Sequence, residues 1–402
     1  MQYQGQIQDG HMHGQGSLVY PNSEKYEGQW RMGKRHGKGT YFYTDGGSYS
    51  GDWLDDRIQG KGVSHYSNGN TYEGDWVDGK IEGVGQLTYT DGDRYVGAWS
   101  DGQMEGTGTY YYASGDVYEG EWRADKRHGR GTVQYTDGNG DPAERYEGDW
   151  VEGKMHGFGR YEYADGGVYE GSWVDSKMHG KGTYTFANGN VYEGEWSKDA
   201  KQGYGVLQYV NGERYEVSGR GLVWLECLEC LECLDLPCRG HLFFFSLLTV
   251  RFCLFSFLSQ GNWKNDHAHG EGTLIYAKGD VFLGEWANGV KNGQGQLTYK
   301  NGDLFQGSWV DDHANGHGTL QYHNGCKYEG EWKDDRRHGY GTFTDPKTQY
   351  KYEGQWHNSR RHGQGTMNLP NGDSFAGTWT AGRCAVVEFS FAANSPWADP
   401  EF

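Results

Sequence analysis

The sequence predicts an all-β protein built as an antiparallel array of stacked β-hairpins. Three observations predict it: a 23-residue internal repeat, period-two alternation inside each repeat, and Asn-Gly or Asp-Gly dipeptides between repeats.

The repeat is the primary signal. The pattern aromatic-x-Gly-x-Trp stands at Tyr26–Trp30, Tyr49–Trp53, Tyr72–Trp76, Tyr95–Trp99 and Tyr118–Trp122, each 23 residues after the last. It continues from Tyr146, Tyr169, Tyr192, Tyr215, Phe282, Phe305, Tyr328, Tyr352 and Phe375. Tyr3-Gln4-Gly5-Gln6-Ile7 is a degenerate first copy, which makes 15. The expected structural residues are Trp30, Trp53, Trp76, Trp99, Trp122, Trp150, Trp173, Trp196, Trp263, Trp286, Trp309, Trp332, Trp356 and Trp379. Five extra residues near Asn139–Glu144 and one extra between Tyr328 and Tyr352 fall in turns, where insertions are tolerated.

A second element follows each first one, reading Gly-x-Gly-x-apolar-x-aromatic: Gly37, Gly39, Tyr41 and Tyr43, or Gly83, Gly85, Leu87 and Tyr89. Both elements alternate with period two, so both are strands. In the first, the aromatic, Gly and Trp share one face. Pairing the two as a hairpin brings the glycines near the Trp. Glycine weakens a strand unless close approach requires it, and the expected reason is an indole lying flat over the glycines. Asp45-Gly46, Asn68-Gly69, Asn188-Gly189 and Asn371-Gly372 mark the turn into the next repeat.

Composition excludes several classes. Gly is 68 of 402 residues and aromatics are 16%, which disordered chains do not show. The formal charge of −18 argues against a nucleic-acid partner, which needs a basic patch. No apolar run follows Met1, so no signal peptide is expected. Five of seven Cys lie between Cys227 and Cys253, so disulfides do not organise the fold and a reducing compartment is expected.

One segment breaks the period. Val217–Gln260 contains Cys-Leu-Glu triplets and an apolar run, His241–Leu258, with Arg251 inside it. Removing these 44 residues joins Tyr215-Glu216 to Gly261-Asn262-Trp263, and the step from Tyr215 to Phe282 becomes 67 − 44 = 23. Val codons begin GT and Gln can be CAG, the ends of a spliceosomal intron. The expected organisation is repeats over 1–216, a translated intron over 217–260, repeats over 261–384, and a cap or tail over 385–402. A real inserted anchor is the alternative.

The repeated Tyr-Glu-Gly-x-Trp…Gly-x-Gly-x-x-x-Tyr unit resembles the MORN repeat, over nearly the whole chain. Among such proteins it is similar to the MORN-only scaffolds of apicomplexan parasites and trypanosomes. The resemblance implies an elongated, twisted single-layer antiparallel sheet; 30 strands at ~4.8 Å spacing would span ~140 Å. It also implies a self-associating cytoskeletal scaffold in ring-like structures of division or budding, partnered by cytoskeletal proteins. The expected location is cytoplasmic, on the cytoskeleton and the cytoplasmic face of membranes.

No enzyme is expected. The Gly-x-Gly pairs precede strands rather than helices, and Gly33–Thr40 has Gly39 where a phosphate loop needs Ser or Thr. Nor does room remain for a catalytic domain after Trp379. No cofactor is required. Histidines before the first Gly of the pair, such as His36, His128, His338 and His362, are expected in turns, too far apart to share an ion.

Cations recur four residues after Trp, with doublets at Lys34-Arg35, Lys126-Arg127, Arg336-Arg337 and Arg360-Arg361. Stacked repeats would line them along one edge, where they could meet anionic phospholipids, phosphoinositides included. The plainer reading is that basic loops protect exposed edges. Cys326 stands where other repeats carry Asp280, Asp303, Asp373, Asn70 or Asn190. With His323, or His338 from an antiparallel partner, it would supply half of an inter-chain structural zinc site; a free surface thiol is the plainer reading. Val387, Phe389 and Phe391 alternate as in a strand, and Pro396, Trp397 and Pro400 suit a cap. Dimerisation is expected through the C-terminal half.

Overall fold

A computed structural model describes residues 1–216, 263–393 and 395, and among these every regular element is a strand. They fall into two compact units, 1–187 with 197–199, and 188–196 with 200–402. In the first unit sixteen strands, from Gln2–Gln8 to Lys177–Thr185, pair antiparallel in chain order. In the second, the same pattern of consecutive hairpins reaches Arg383–Ser390. This is the expected fold. The segment 217–260, with Gly261 and Asn262, lies outside the described residues.

The two loops of a repeat are built differently. After the Trp, two residues at positive φ, such as Asp55 (47°) and Asp56 (74°), make the tight turn whose twist matches the strands. At the Asn-Gly or Asp-Gly loop only the glycine is left-handed: Gly46 has φ 91°, and its N–H donates to Tyr43 O at 3.3 Å. That loop is a longer turn ending in a left-handed glycine. The tight two-residue turn therefore falls at the second and third residues after the Trp, such as Asp55-Asp56 or Asp78-Gly79, and the dipeptide marks the longer turn into the next repeat.

The core lies on one face of the sheet. Tyr26, Tyr49, Tyr72 and Tyr95 are fully buried, and Trp30, Trp53, Trp76 and Trp99 nearly so. In the strand Lys25–Arg31 paired to Lys34–Phe42, Tyr26 opposes Tyr41, Gly28 opposes Gly39, and Trp30 opposes Arg35. The tyrosine ring, not the indole, lies closest over the glycines. A Cβ on Gly39 would fall 2.6 Å from Tyr26 Cε2, inside van der Waals contact. The indole enters differently: Trp53 Nε1 donates to Gly39 O at 3.0 Å. Alternation places both aromatics on the glycine face but does not say which covers the glycines. The deciding feature is a bulge at Gly37, φ 64°, which shifts the register between Gly28 and Trp30.

In most repeats the tyrosine hydroxyl then closes a local bond. Tyr26 Oη donates to Gln29 O at 3.0 Å, and Tyr118 Oη to Glu121 O at 3.0 Å. Each Tyr ring meets two indoles edge-on. Tyr26 stands 5.0 Å from Trp30 at 89° and 5.3 Å from Trp53 at 80°. Such pairs contribute about 0.5–1.5 kcal/mol each beyond their buried area. Phe282 and Phe305 keep the ring contacts without a hydroxyl.

Both loops are also stitched from repeat to repeat. On one edge Arg35 N donates to Asp56 Oδ1 at 3.0 Å and Met104 N to Asp125 Oδ1 at 2.8 Å. On the other, Ala113 N donates to Asp93 Oδ1 at 2.8 Å and Lys300 N to Asp280 Oδ1 at 2.9 Å. Within a repeat, the residue before Trp caps the bulge: Lys38 N donates to Gln29 Oε1 at 3.0 Å, and Arg130 N to Glu121 Oε1 at 2.8 Å.

A methyl group at Gly39 must displace the Tyr26 ring, whereas Lys38 is exposed beside it. Gly39→Ala is expected to destabilise the protein by about 1–3 kcal/mol in thermal melts, and Lys38→Ala by under about 0.5 kcal/mol. Equal, small effects would show that the ring does not need the glycine.

Candidate functional site

Neighbouring residues on a strand point to opposite faces, and this divides the cation doublets. The second member turns inward. The Arg35, Arg127, Arg337 and Arg361 guanidiniums lie 4.4, 4.2, 4.5 and 4.4 Å from the rings of Trp53, Trp150, Trp356 and Trp379 in the following repeat. Each also donates to a backbone carbonyl there: Asp56 O, Gly153 O, Ser359 O and Gly382 O. Ile58 and Ile81 fill the same place in other repeats. These four arginines are thus committed to packing between repeats. Burial, with Arg337 close by, lowers the pKa of Arg361.

The first member of each doublet opens the strand after the tight turn and is exposed. In the first unit most such cations are neutralised across repeats. Arg57 pairs with Asp78 at 3.0 Å, Lys126 with Glu152 at 2.5 Å and Lys154 with Asp175 at 3.1 Å; Lys80 pairs with Asp101. Among the described residues Lys34, Arg336, Arg360 and Arg383 have no carboxylate in ion-pair range. In the repeats that follow Arg336 and Arg360, Asn358 and Ala381 stand where Asp78 and Asp101 stand earlier.

Cys326 is explained by its neighbour. Elsewhere its position holds the carboxylate or amide that accepts an N–H twenty residues on: Asp303 accepts from His323 N at 2.8 Å, and Asn190 from Val210 N at 3.0 Å. Twenty residues after Cys326 stands Pro346, which has no N–H to give. An acceptor there would be orphaned, so a small buried thiol replaces it. Burial and the Asp345 carboxylate push that thiol up, away from the thiolate that zinc takes. The other two expected ligands are engaged elsewhere. His323 Nδ1 lies 2.9 Å from Asp303 Oδ1, and the His338 ring packs against His357, tilted 55° at 5.0 Å. Among the described residues no three His, Cys, Asp or Glu side chains converge to hold a metal.

The histidines before the bulge lie in strands rather than turns, as His36 does within Lys34–Phe42. Nδ1 of His13, His128 and His269 is buried without a hydrogen-bond partner among the described residues. On the face opposite the aromatics, a groove of about 980 Å³ runs over the glycine floor of the first unit. Glu27, Thr40, Val63 and Glu73 form one wall, with Lys38 and Lys61 across from them.

Among the described residues the last strand, Arg383–Ser390, pairs on one side only, with Ser374–Thr380. Phe389 and Phe391 stack in parallel at 6.0 Å and are 61% and 48% exposed. Ser395 Oγ donates to Asp373 Oδ2 at 2.7 Å, and Ala392 N to Asp373 Oδ1 at 2.8 Å. The chain after the strand thus folds back like the turn of one more repeat. The expected cap residues Pro396, Trp397 and Pro400 lie outside the described residues.

The MORN-repeat model matches fourteen stretches, from 3–25 through 118–140, from 146–168 through 192–214, and from 260–281 through 352–374. The chain belongs to the MORN-repeat family. The match indicates a structural, scaffold-type repeat protein and no enzyme family. No curated protein sequence matches the chain.

Among solved structures it is similar to the TCP domain of Drosophila melanogaster SAS-4, solved with a proline-rich motif of Ana2: 15% identity over 44% of this chain and 86% of that one, TM-score 0.25. It is also similar to the TCP10 domain of Danio rerio CPAP, at 10% identity over 67% of this chain and 92% of that one, TM-score 0.20. At these TM-scores the likeness carries no argument about function.

The MORN ladder carries its own pH response. Burial pushes the Tyr352 phenol from 10.0 up to about 12, and burial raises Tyr26, Tyr49, Tyr72 and Tyr146 further still. An acid whose pKa is raised by folding stabilises the fold fully below its unfolded value and loses that contribution as pH rises through the folded value. Strand signal should therefore hold to about pH 10, then disappear in one alkaline transition together with the rise of tyrosinate absorbance. Full tyrosinate absorbance with strands intact would contradict this.

Proposed function

We propose that the chain is a non-enzymatic MORN scaffold of the membrane-linked cytoskeleton that self-associates and works in ring-like structures of cell division or budding. The observation that carries self-association is the open edge at Arg383–Ser390 beside the exposed Phe389 and Phe391. An unpaired strand edge is a template for another edge, and an exposed aromatic pair adds apolar area to such a contact. The occupant we assign is a second copy of the same edge, related by a two-fold axis. The cytoskeletal role rests on the likeness of the repeat pattern to parasite MORN-only scaffolds, and cytoplasmic location follows from it. Sedimentation of purified protein should show a dimer or larger assembly at micromolar concentration. Phe389→Lys with Phe391→Lys should give a monomer with an unchanged melting temperature. A wild-type monomer would remove self-association.

A second reading is contact with anionic membranes, phosphoinositides included. It is favoured by the exposed, unpaired Arg336, Arg360 and Arg383, each contributing about 1 kcal/mol at an anionic surface. The stacked arginines are not available for it. Vesicle co-sedimentation at physiological salt should fall when these three are changed to Glu; equal binding would remove the electrostatic contact.

A further inference from the structure

The repeat interrupted after Glu216 keeps its tyrosine and its tryptophan in their usual places on either side of the interruption. Trp263 follows Tyr215 by 48 residues, where Trp30 follows Tyr26 by 4. It nevertheless occupies the tryptophan place of that repeat. Its Nε1 donates to Gly205 O at 3.1 Å, as Trp286 Nε1 does to Gly272 O at 3.3 Å. Its ring meets Tyr192 and Tyr215 edge-on at 5.2 and 5.3 Å. Tyr215 in turn opposes Leu207 and Leu274 and reaches Trp286 at 4.9 Å.

The described parts of this repeat's first strand are Arg214–Glu216 before the interruption and Trp263–Lys264 after it. Tyr215 Oη is buried without a partner among the described residues, whereas Tyr192 and Tyr328 donate to the carbonyls of Glu195 and Glu331, three residues on. In a chain with Glu216 bonded to Gly261, the third residue on from Tyr215 is Asn262, directly before the tryptophan, as Gln29 is before Trp30. The same bond supplies Gly261 as partner for Gly272, in the way Gly28 opposes Gly39.

The interrupting sequence reads as translated splice signals. Val217-Ser218 is the translation of GTAAGT or GTGAGT, the consensus donor. Between Leu242 and Ser259, 14 of 18 residues are Phe, Leu or Ser, the amino acids that a pyrimidine-rich tract encodes. Gln260 supplies the CAG acceptor. The segment's 44 codons make 44 × 3 = 132 nucleotides, so its removal keeps the frame.

We propose that residues 217–260 are encoded by an intron, and that in the working protein Glu216 is bonded to Gly261, which keeps 402 − 44 = 358 of these residues. The apolar run is then no membrane anchor, and any membrane contact must come from the folded repeats. Only Cys326 and Cys384 remain of the seven cysteines. The glycine floor runs unbroken through the tenth repeat.

The test is tryptic mass spectrometry of the protein from its own cells, with sequencing of its transcript across the Glu216 codon. The expected results are the peptide Tyr215-Glu216-Gly261-Asn262-Trp263-Lys264 and a transcript shorter by the 132 nucleotides of 44 codons. Native protein carrying peptides from within 217–260 overturns the proposal. A second measurement compares purified 358- and 402-residue forms. The shorter form, with Tyr215 Oη partnered, is expected to melt several degrees higher; an equal or lower melting temperature counts against it.

Discussion

A tyrosine ring laid across two facing glycines is the contact on which the rest of each repeat depends. With Gly28 and Gly39 opposed, the sheet is thin enough for Tyr26 to lie against its backbone and reach Gln29 O with its hydroxyl. The ring then presents its edges to Trp30 and Trp53, and the latter indole takes the carbonyl of Gly39. Any side chain at either glycine would lift the ring and break three sets of contacts together. This explains a core on one face of a sheet with no second layer above it among the described residues. Burial comes from the neighbouring repeat, so stability is a sum of nearest-neighbour terms.

The same arrangement uses up most of the chemistry that the sequence displays. The conspicuous glycine pairs make room and turn the bulge. Arg35, Arg127, Arg337 and Arg361 cover the next tryptophan, and Asp56, Asp125, Asp93 and Asp280 hold the loops of neighbouring repeats. Among the described residues, what remains free to act includes the edge of the C-terminal strand and the exposed cations Lys34, Arg336, Arg360 and Arg383. Side chains committed in this way to holding repeat to repeat are the physical content of calling it a scaffold-type repeat protein.

The strands and the tryptophan series were legible in the sequence, because period and alternation fix them. The ring over the glycines was not, since alternation puts Tyr26, Gly28 and Trp30 on one face without the register shift that Gly37 introduces. The commitment of Arg35 was legible in principle: adjacent strand residues cannot both face outward, so one of every doublet had to turn in. Cys326 could be read only after the twenty-residue bond between loops was known, which makes Pro346 the missing donor. The turn into the next repeat was legible at its Asn-Gly and Asp-Gly dipeptides; that the loop after the tryptophan is the tighter, two-residue one was not, because Asn-Gly serves both kinds of turn. The caps at Gln29 and Glu121 had a visible sign, an acceptor directly before the tryptophan.

The central claim, that aromatic rings couple each repeat to its neighbours only, is tested most directly by hydrogen exchange on Trp150→Ala. Trp150 meets Tyr118 at 5.3 Å and Tyr146 at 5.2 Å and carries the Arg127 guanidinium. Loss of a buried aromatic costs about 3–5 kcal/mol. Amides of the repeats that begin at Tyr118 and Tyr146 should lose protection, while those at Tyr49 and Tyr72, in the same unit, keep it. Uniform loss across the unit, or unchanged exchange beside the substitution, would contradict the account.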